Sequence, residues 1–191
     1  MTKIYRKKEP HWNYILAIED DLDRLSRFIE FDERNFDCFS LELSRVLLLS
    51  CAEIDVVCKQ ICKKINQNSK AKNITNYRDE IMGASSLSTT HELKVLLPRH
   101  GIELIPWSSW SETKGVPIWW TAYNKIKHER NAEYHRANLR NALNAAGGLL
   151  IMVLYLYEDK AETLDLSPHT KLMTVDDERF YGVTFVGFFG R

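Results

Sequence analysis

Between Ile118 and Asn141 the chain reads IWWTAYNKIKHERNAEYHRANLRN, and its asparagines and histidines recur at a helical spacing. Successive residues of an α-helix turn by about 100°. Asn124, His128, Asn131, His135 and Asn138, at offsets of four, seven, eleven and fourteen, therefore fall on one narrow stripe. Trp120, Tyr123, Lys127 and Tyr134 border it, and Lys125, Glu129, Glu133, Arg136 and Arg140 form a solvated opposite face. A helix ordinarily turns an apolar stripe inward. This one would bury asparagines and histidines, each needing hydrogen-bond partners. The expectation is a functional site or a polar seam, with the rest of the chain arranged to hold it.

The flanking segments read as helices. Trp12 to Phe28 carries Ile15, Ile18, Leu22, Leu25 and Phe28 at helical intervals. Phe39 to Ile65 is a long apolar segment with Ser40 as its N-cap and Leu43 and Leu47 opening its buried face. Glu53 and Asp55 interrupt it; either faces solvent or finds a partner such as His128 or Arg130. A polar linker, 66–76, precedes a short helix at Tyr77–Met82, and 83–90 is loop-like. The breakers Pro98, Gly101 and Pro106 predict a turn of helix and then an extended piece over Ile102–Ile105. Trp107, Trp110, Trp119 and Trp120 lie within fourteen positions and read as an aromatic wall supporting the central helix, which Pro117 opens. Leu139–Tyr157 continues as a buried helix, where Gly147-Gly148 allows a bend or a close contact. In the tail, Leu172–Val175 and Arg179–Phe189 predict a small hairpin packed on the helices or on a second chain.

These elements make a mainly α fold: a helical bundle in one domain over residues 1–191, with 170–191 as a C-terminal β extension. Lysine plus arginine equal aspartate plus glutamate at 26 each, which argues against a protein that coats duplex DNA through bulk charge. The N-terminus has charges without an apolar core after them, and the apolar run Leu149–Tyr157 is short for a bilayer. The expectation is a cytoplasmic protein with no membrane partner. Cys51, Cys58 and Cys62 share a helix face with Leu47, Ile54 and Ile61, and read as core residues together with Cys38. No metal or cofactor pattern is legible; His11, His91, His100 and His169 lie in loop-like contexts and read as surface residues.

Histidine beside arginine suits phosphodiester chemistry. An imidazole can take the proton of a ribose 2′-hydroxyl while a second group returns one to the departing 5′-oxygen. A guanidinium matches the charge growing on phosphate oxygens. His128, Arg130 and His135 are the candidate catalytic residues; Asn124, Lys127, Asn131, Tyr134 and Asn138 are the candidate substrate contacts. Arg130 and His135 lie about 140° apart round a regular helix, so a second helix or a second copy is needed to close the site.

The run Arg130-Asn131-Ala132-Glu133-Tyr134-His135 matches R-N-x-x-x-H and resembles the signature of HEPN domains, helical modules of many prokaryotic defence and toxin ribonucleases. WWTAYNKIKHER followed by ANLRNAL is similar to bacterial HEPN-like proteins with a W-x-x-Y-N-x-x-K-H-x-R stretch. The PW-x-x-W piece from Pro106 and the helix containing CAEIDVV are consistent with that group, so the resemblance spans Phe36 to Tyr157. It implies a helical bundle that forms a homodimer with its Arg/His motifs facing across a cleft. In active members the motif cleaves RNA without a metal; other members are dimerisation or nucleotide- and RNA-binding modules. The K-H-x-R form centres on His128 and Arg130, the ribonuclease form on Arg130 and His135.

Overall fold

The most apolar segment, Leu139–Leu156, forms a helix (α5) that is buried along nearly its whole length. The computed structural model describes residues 8–162 and 166–180. Around α5 pack α1 (Pro10–Leu25), α2 (Leu41–Ile65) and α4 (Ile118–Glu133), with α3 (Ile74–Gly83) on the outer side of α2. A short α6 (Glu158–Glu162) follows α5. By length and composition α5 is apolar enough to cross a membrane, but 83% of it is buried inside the fold, so its apolar surface is covered by the chain's own helices.

Amphipathic spacing accounts for the bundle. In α1 the buried residues Trp12, Ile15, Ile18, Leu22 and Leu25 form one stripe. Phe28, expected to extend that stripe, lies beyond the helix end and is 85% exposed. Ser40 caps α2, its hydroxyl accepting from the Leu43 N–H at 3.1 Å. Leu43, Leu47, Cys51, Ile54, Cys58, Ile61 and Cys62 then face the core. Burial raises the Cys51 and Cys58 thiols and pushes Cys62 up to about 12, so these cysteines pack as small apolar groups. Cys38 differs from that expectation and is exposed.

A three-stranded antiparallel sheet, ordered β2-β1-β3, closes one side of the bundle. Its hairpin joins β1 (Val95–Leu97) to β2 (Ile102–Leu104), turning at Gly101, whose φ of +65° suits a residue without a β-carbon. Thr174–Val175, inside the predicted strand Leu172–Val175, is β3 and pairs with β1. Arg179 and Phe180 lie in a 3₁₀ turn, and the remainder of the predicted Arg179–Phe189 strand lies outside the described residues. Phe180 is fully buried against Tyr155, as expected of a tail packed on the helices. That tail is also held at Glu19 of α1. Its buried carboxylate accepts backbone N–H bonds from Lys171, Leu172 and Met173 at 2.8, 2.8 and 3.0 Å.

The four tryptophans form the predicted wall and are all buried. Trp107 lies 4.2 Å from Trp110 and 4.9 Å from Trp119 between ring centroids. The Trp107 indole donates to the Gly148 carbonyl and the Trp119 indole to that of Pro106, at 3.2 and 2.8 Å. A β-carbon on Gly148 would stand 3.2 Å from Trp119, and one on Gly147 would stand 3.3 Å from Val95. The two glycines are thus the flat place where α5 receives the aromatic wall and the sheet. α4 leaves this wall immediately after Pro117, its N-cap.

Candidate functional site

The central segment is not one helix. α4 breaks at Glu129, whose φ of −133° and ψ of 36° are non-helical, and a 3₁₀ turn occupies Tyr134–Arg136. Ala137 and the cap Asn138 then lead into α5. The separation of α5 from this segment is tertiary in origin. The Leu139 and Arg140 N–H groups donate to the Cys38 and Phe36 carbonyls at 2.9 and 3.1 Å, and Phe39 bridges to Asn138. Backbone from before α2 thus takes the donors that a continuous helix would direct at residues 135 and 136. The Asn138 side chain is also committed, accepting from the Asn141 N–H at 3.0 Å. Asn138 is therefore a helix cap, not a face residue beside His135.

The expected inward stripe is corrected as well. Asn124, His128, Asn131 and His135 are all exposed, while the buried residues of α4 are Trp119, Trp120, Ala122 and Ile126. Within one chain the polar face looks outward, because the apolar positions at the start of α4 already occupy the core. The side chains of His128, Asn131 and His135 make no hydrogen bond or ion pair among the described residues. Arg130 has no carboxylate partner there, unlike Arg45, Arg78, Arg99, Arg136 and Arg179. Its guanidinium lies over the Tyr134 ring, 5.2 Å from the centroid, and Tyr134 rests edge-on against Phe39 at 5.6 Å. The Phe39–Tyr134 stack thus holds the arginine up without neutralising it. Next to it, Arg136 is tied to Glu133 and lowers that carboxyl below its ordinary value.

Of the predicted set, Arg130 and Tyr134 are in contact. Asn124 and Lys127 lie further back on α4 and line a groove of about 470 Å³ with Lys72, Asn73, Trp120 and Tyr123. No side-chain hydrogen bond joins His128, Arg130, Asn131 and His135 to one another among the described residues. Sequence reasoning missed Lys72 and Asn73, which sit in the polar linker before α3. The available signal was Asn73 as an N-cap, its side chain accepting from the Asn76 N–H at 3.0 Å.

Glu53 and Asp55 find partners other than His128 and Arg130. His11, in the first turn of α1 and not in a loop, sits 2.5 Å from Glu53 through Nδ1. The Tyr77 hydroxyl donates to Asp55 at 2.7 Å. No group of three or more His, Cys, Asp or Glu side chains among the described residues is placed to hold a metal ion.

Fold and site together define a mainly α-helical domain with an uncommitted His/Arg/Asn surface at the broken end of one helix. Comparison with protein-family models, with curated proteins and with solved structures returned no match.

Proposed function

We propose that this chain is a HEPN-like ribonuclease that cleaves RNA without a metal, as a homodimer, through Arg130 and His135 with His128 beside them. One observation carries the reading. The side chains of Arg130, His128, Asn131 and His135 stand exposed and without hydrogen-bonding or ionic partners among the described residues, whereas seven of the ten described arginines are ion-paired. A stabilising seam would consume these groups inside the fold.

In the proposed reaction the His135 imidazole takes the proton of a ribose 2′-hydroxyl. The oxygen attacks phosphorus, the bond to the 5′-oxygen breaks, and His128 or the motif of a second copy protonates that oxygen. Arg130 offsets the added negative charge on the phosphate oxygens. The products are a 2′,3′-cyclic phosphate and a free 5′-hydroxyl.

Purified protein in EDTA should leave cyclic-phosphate ends on single-stranded RNA. His135→Ala should slow this at least about a hundredfold, with unchanged circular dichroism. Absence of cleavage by the wild-type chain across single-stranded RNAs of varied sequence would remove the catalytic reading. A second reading, RNA binding without cleavage, is favoured by the break at Glu129, which leaves His135 on a separate turn from His128. It calls for salt-sensitive RNA binding with intact RNA recovered.

A further inference from the structure

We propose that the outer edge of β2 takes up an extended peptide segment of a partner protein, one that carries a basic residue between apolar ones. The site uses none of His128, Arg130 and His135 and stands apart from the ribonuclease reading.

Register leaves this edge open. The Asp176 N–H donates to the Lys94 carbonyl at 3.0 Å, so Lys94 and Leu96, two positions on, turn their backbone groups toward β3. Val95 and Leu97 turn theirs toward Leu104 and Ile102. Glu103, between those two, therefore directs its N–H and C=O away from β1. β2 is an outer strand of the sheet, and no described strand pairs with that side. Such an edge accepts an added strand through main-chain hydrogen bonds, with pockets beside it choosing the side chains.

A cleft of about 370 Å³ lies beside the edge, between β2 and the starts of α4 and α5. Ile105 and Ile118, 38% and 74% exposed, give it apolar walls. Strand geometry couples edge and cleft. In an added strand the residue opposite Glu103 turns to solvent with it, and the two neighbours turn to the side of the buried Ile102 and Leu104. Leu104 lines the cleft, so one of those neighbours would seat an apolar side chain there.

Charge selects the residue between them. Two carboxylates, Glu33 and Glu103, line the cleft against one guanidinium, Arg140, which lies over the Phe36 ring at 4.9 Å. Glu33 is exposed and has no ion-pair partner among the described residues, and Glu103 is shared with Lys94 at 2.9 Å. A lysine or arginine opposite Glu103 meets this acidic rim. A second copy of this chain fits it poorly, because pairing edge to edge about Glu103 would set like charges opposite each other.

The test is an array of random octapeptides probed with the full chain, followed by fluorescence-anisotropy titration of the tightest binders. Selected peptides should place lysine or arginine between valine, isoleucine or phenylalanine, and their binding should protect the Glu103 amide from hydrogen exchange. Glu103→Pro removes the outward N–H and leaves the ladder to β1 its bonds; it should weaken binding roughly tenfold with unchanged circular dichroism. Glu33→Lys, at an exposed position, should weaken it roughly fivefold. No peptide bound more tightly than about 1 mM overturns the proposal. So does selection of acidic peptides, or an unprotected Glu103 amide with wild-type affinity in Glu103→Pro. A doubling of mass that Glu103→Pro abolishes, with no peptide bound, would assign the edge to a second copy and overturn it equally. His135→Ala should bind the same peptides unchanged, so failure of the ribonuclease reading leaves the edge site standing.

Discussion

Glu19 shows how much one buried side chain can organise. Its carboxylate takes three consecutive N–H groups of the C-terminal segment, and Trp12 one turn-pair earlier donates to the Pro168 carbonyl at 2.9 Å. Glu19→Ala would orphan those donors at a site that is 2% exposed. The expected loss is roughly 2–4 kcal/mol, read from denaturant unfolding, with 171–173 the first amides to exchange. Burial raises the Glu19 carboxyl above its ordinary 4.5, against the pull of the three N–H donors. The folded chain then keeps this proton to higher pH than the unfolded chain. Its contribution to stability is full below 4.5 and is lost as pH rises through the folded value. The melting-temperature difference between wild type and Glu19→Gln should therefore be most favourable to wild type near about pH 4 and shrink toward about pH 7. A difference that grows with pH would reverse the sign assigned to Glu19. Nothing in the sequence distinguished this glutamate from its neighbour Asp20, because its partners lie more than 150 positions away.

At the scale of elements, α5 and the tryptophan wall depend on two residues without side chains. Gly148 lies under Trp107 and Trp119, both locked by indole hydrogen bonds to backbone carbonyls. Gly148→Val would drive its methyl groups into rings that have no alternative position. The penalty should be about 2–3 kcal/mol, seen as a lower melting temperature, despite valine's better helix propensity. An unchanged melt would show that the wall can repack. Three of the helices were legible from spacing: α1, α2 and α5 fall close to where periodicity placed them, and Ser40 caps α2 as its position before Leu43 suggested, whereas α3 starts at Ile74, inside the expected linker 66–76 and ahead of the expected Tyr77–Met82. β1 was not legible, since Val95–Leu97 is three residues long and reads equally as a helical turn. The break in α4 was hidden too. Glu129 is no helix breaker, and the capture of the start of α5 by Phe36–Cys38 involves backbone donors at 139 and 140 that the local sequence does not mark.

For the whole molecule, the outward polar face of α4 matters through what covers it. If the Arg130/His135 surface is completed by a second copy, light scattering should report twice the monomer mass. Mixing His135→Ala with Arg130→Ala chains should then restore part of the cleavage, since the hybrid cleft holds Arg130 from one copy and His135 from the other. A monomer that cleaves RNA at full rate would remove the dimer from the mechanism. Phe39, half-exposed against Tyr134, and the exposed Leu41 two positions on give such an interface some apolar surface to bury.

Spacing and residue type determined, without any structure, that the chain is mainly helical and that the tryptophans support the start of α4. They also picked out His128, Arg130 and His135 after that wall as candidates for its chemistry. These are local properties, carried by periodicities of a few residues and by side-chain chemistry. Tertiary structure alone decided that α4 breaks, that its polar residues face outward, and that Asn138 is spent on a cap. It also decided that Lys72 and Lys127 line one groove. Each of those depends on backbone or side chains far away in sequence competing for the same hydrogen bonds or the same buried volume, and no helical wheel carries that information.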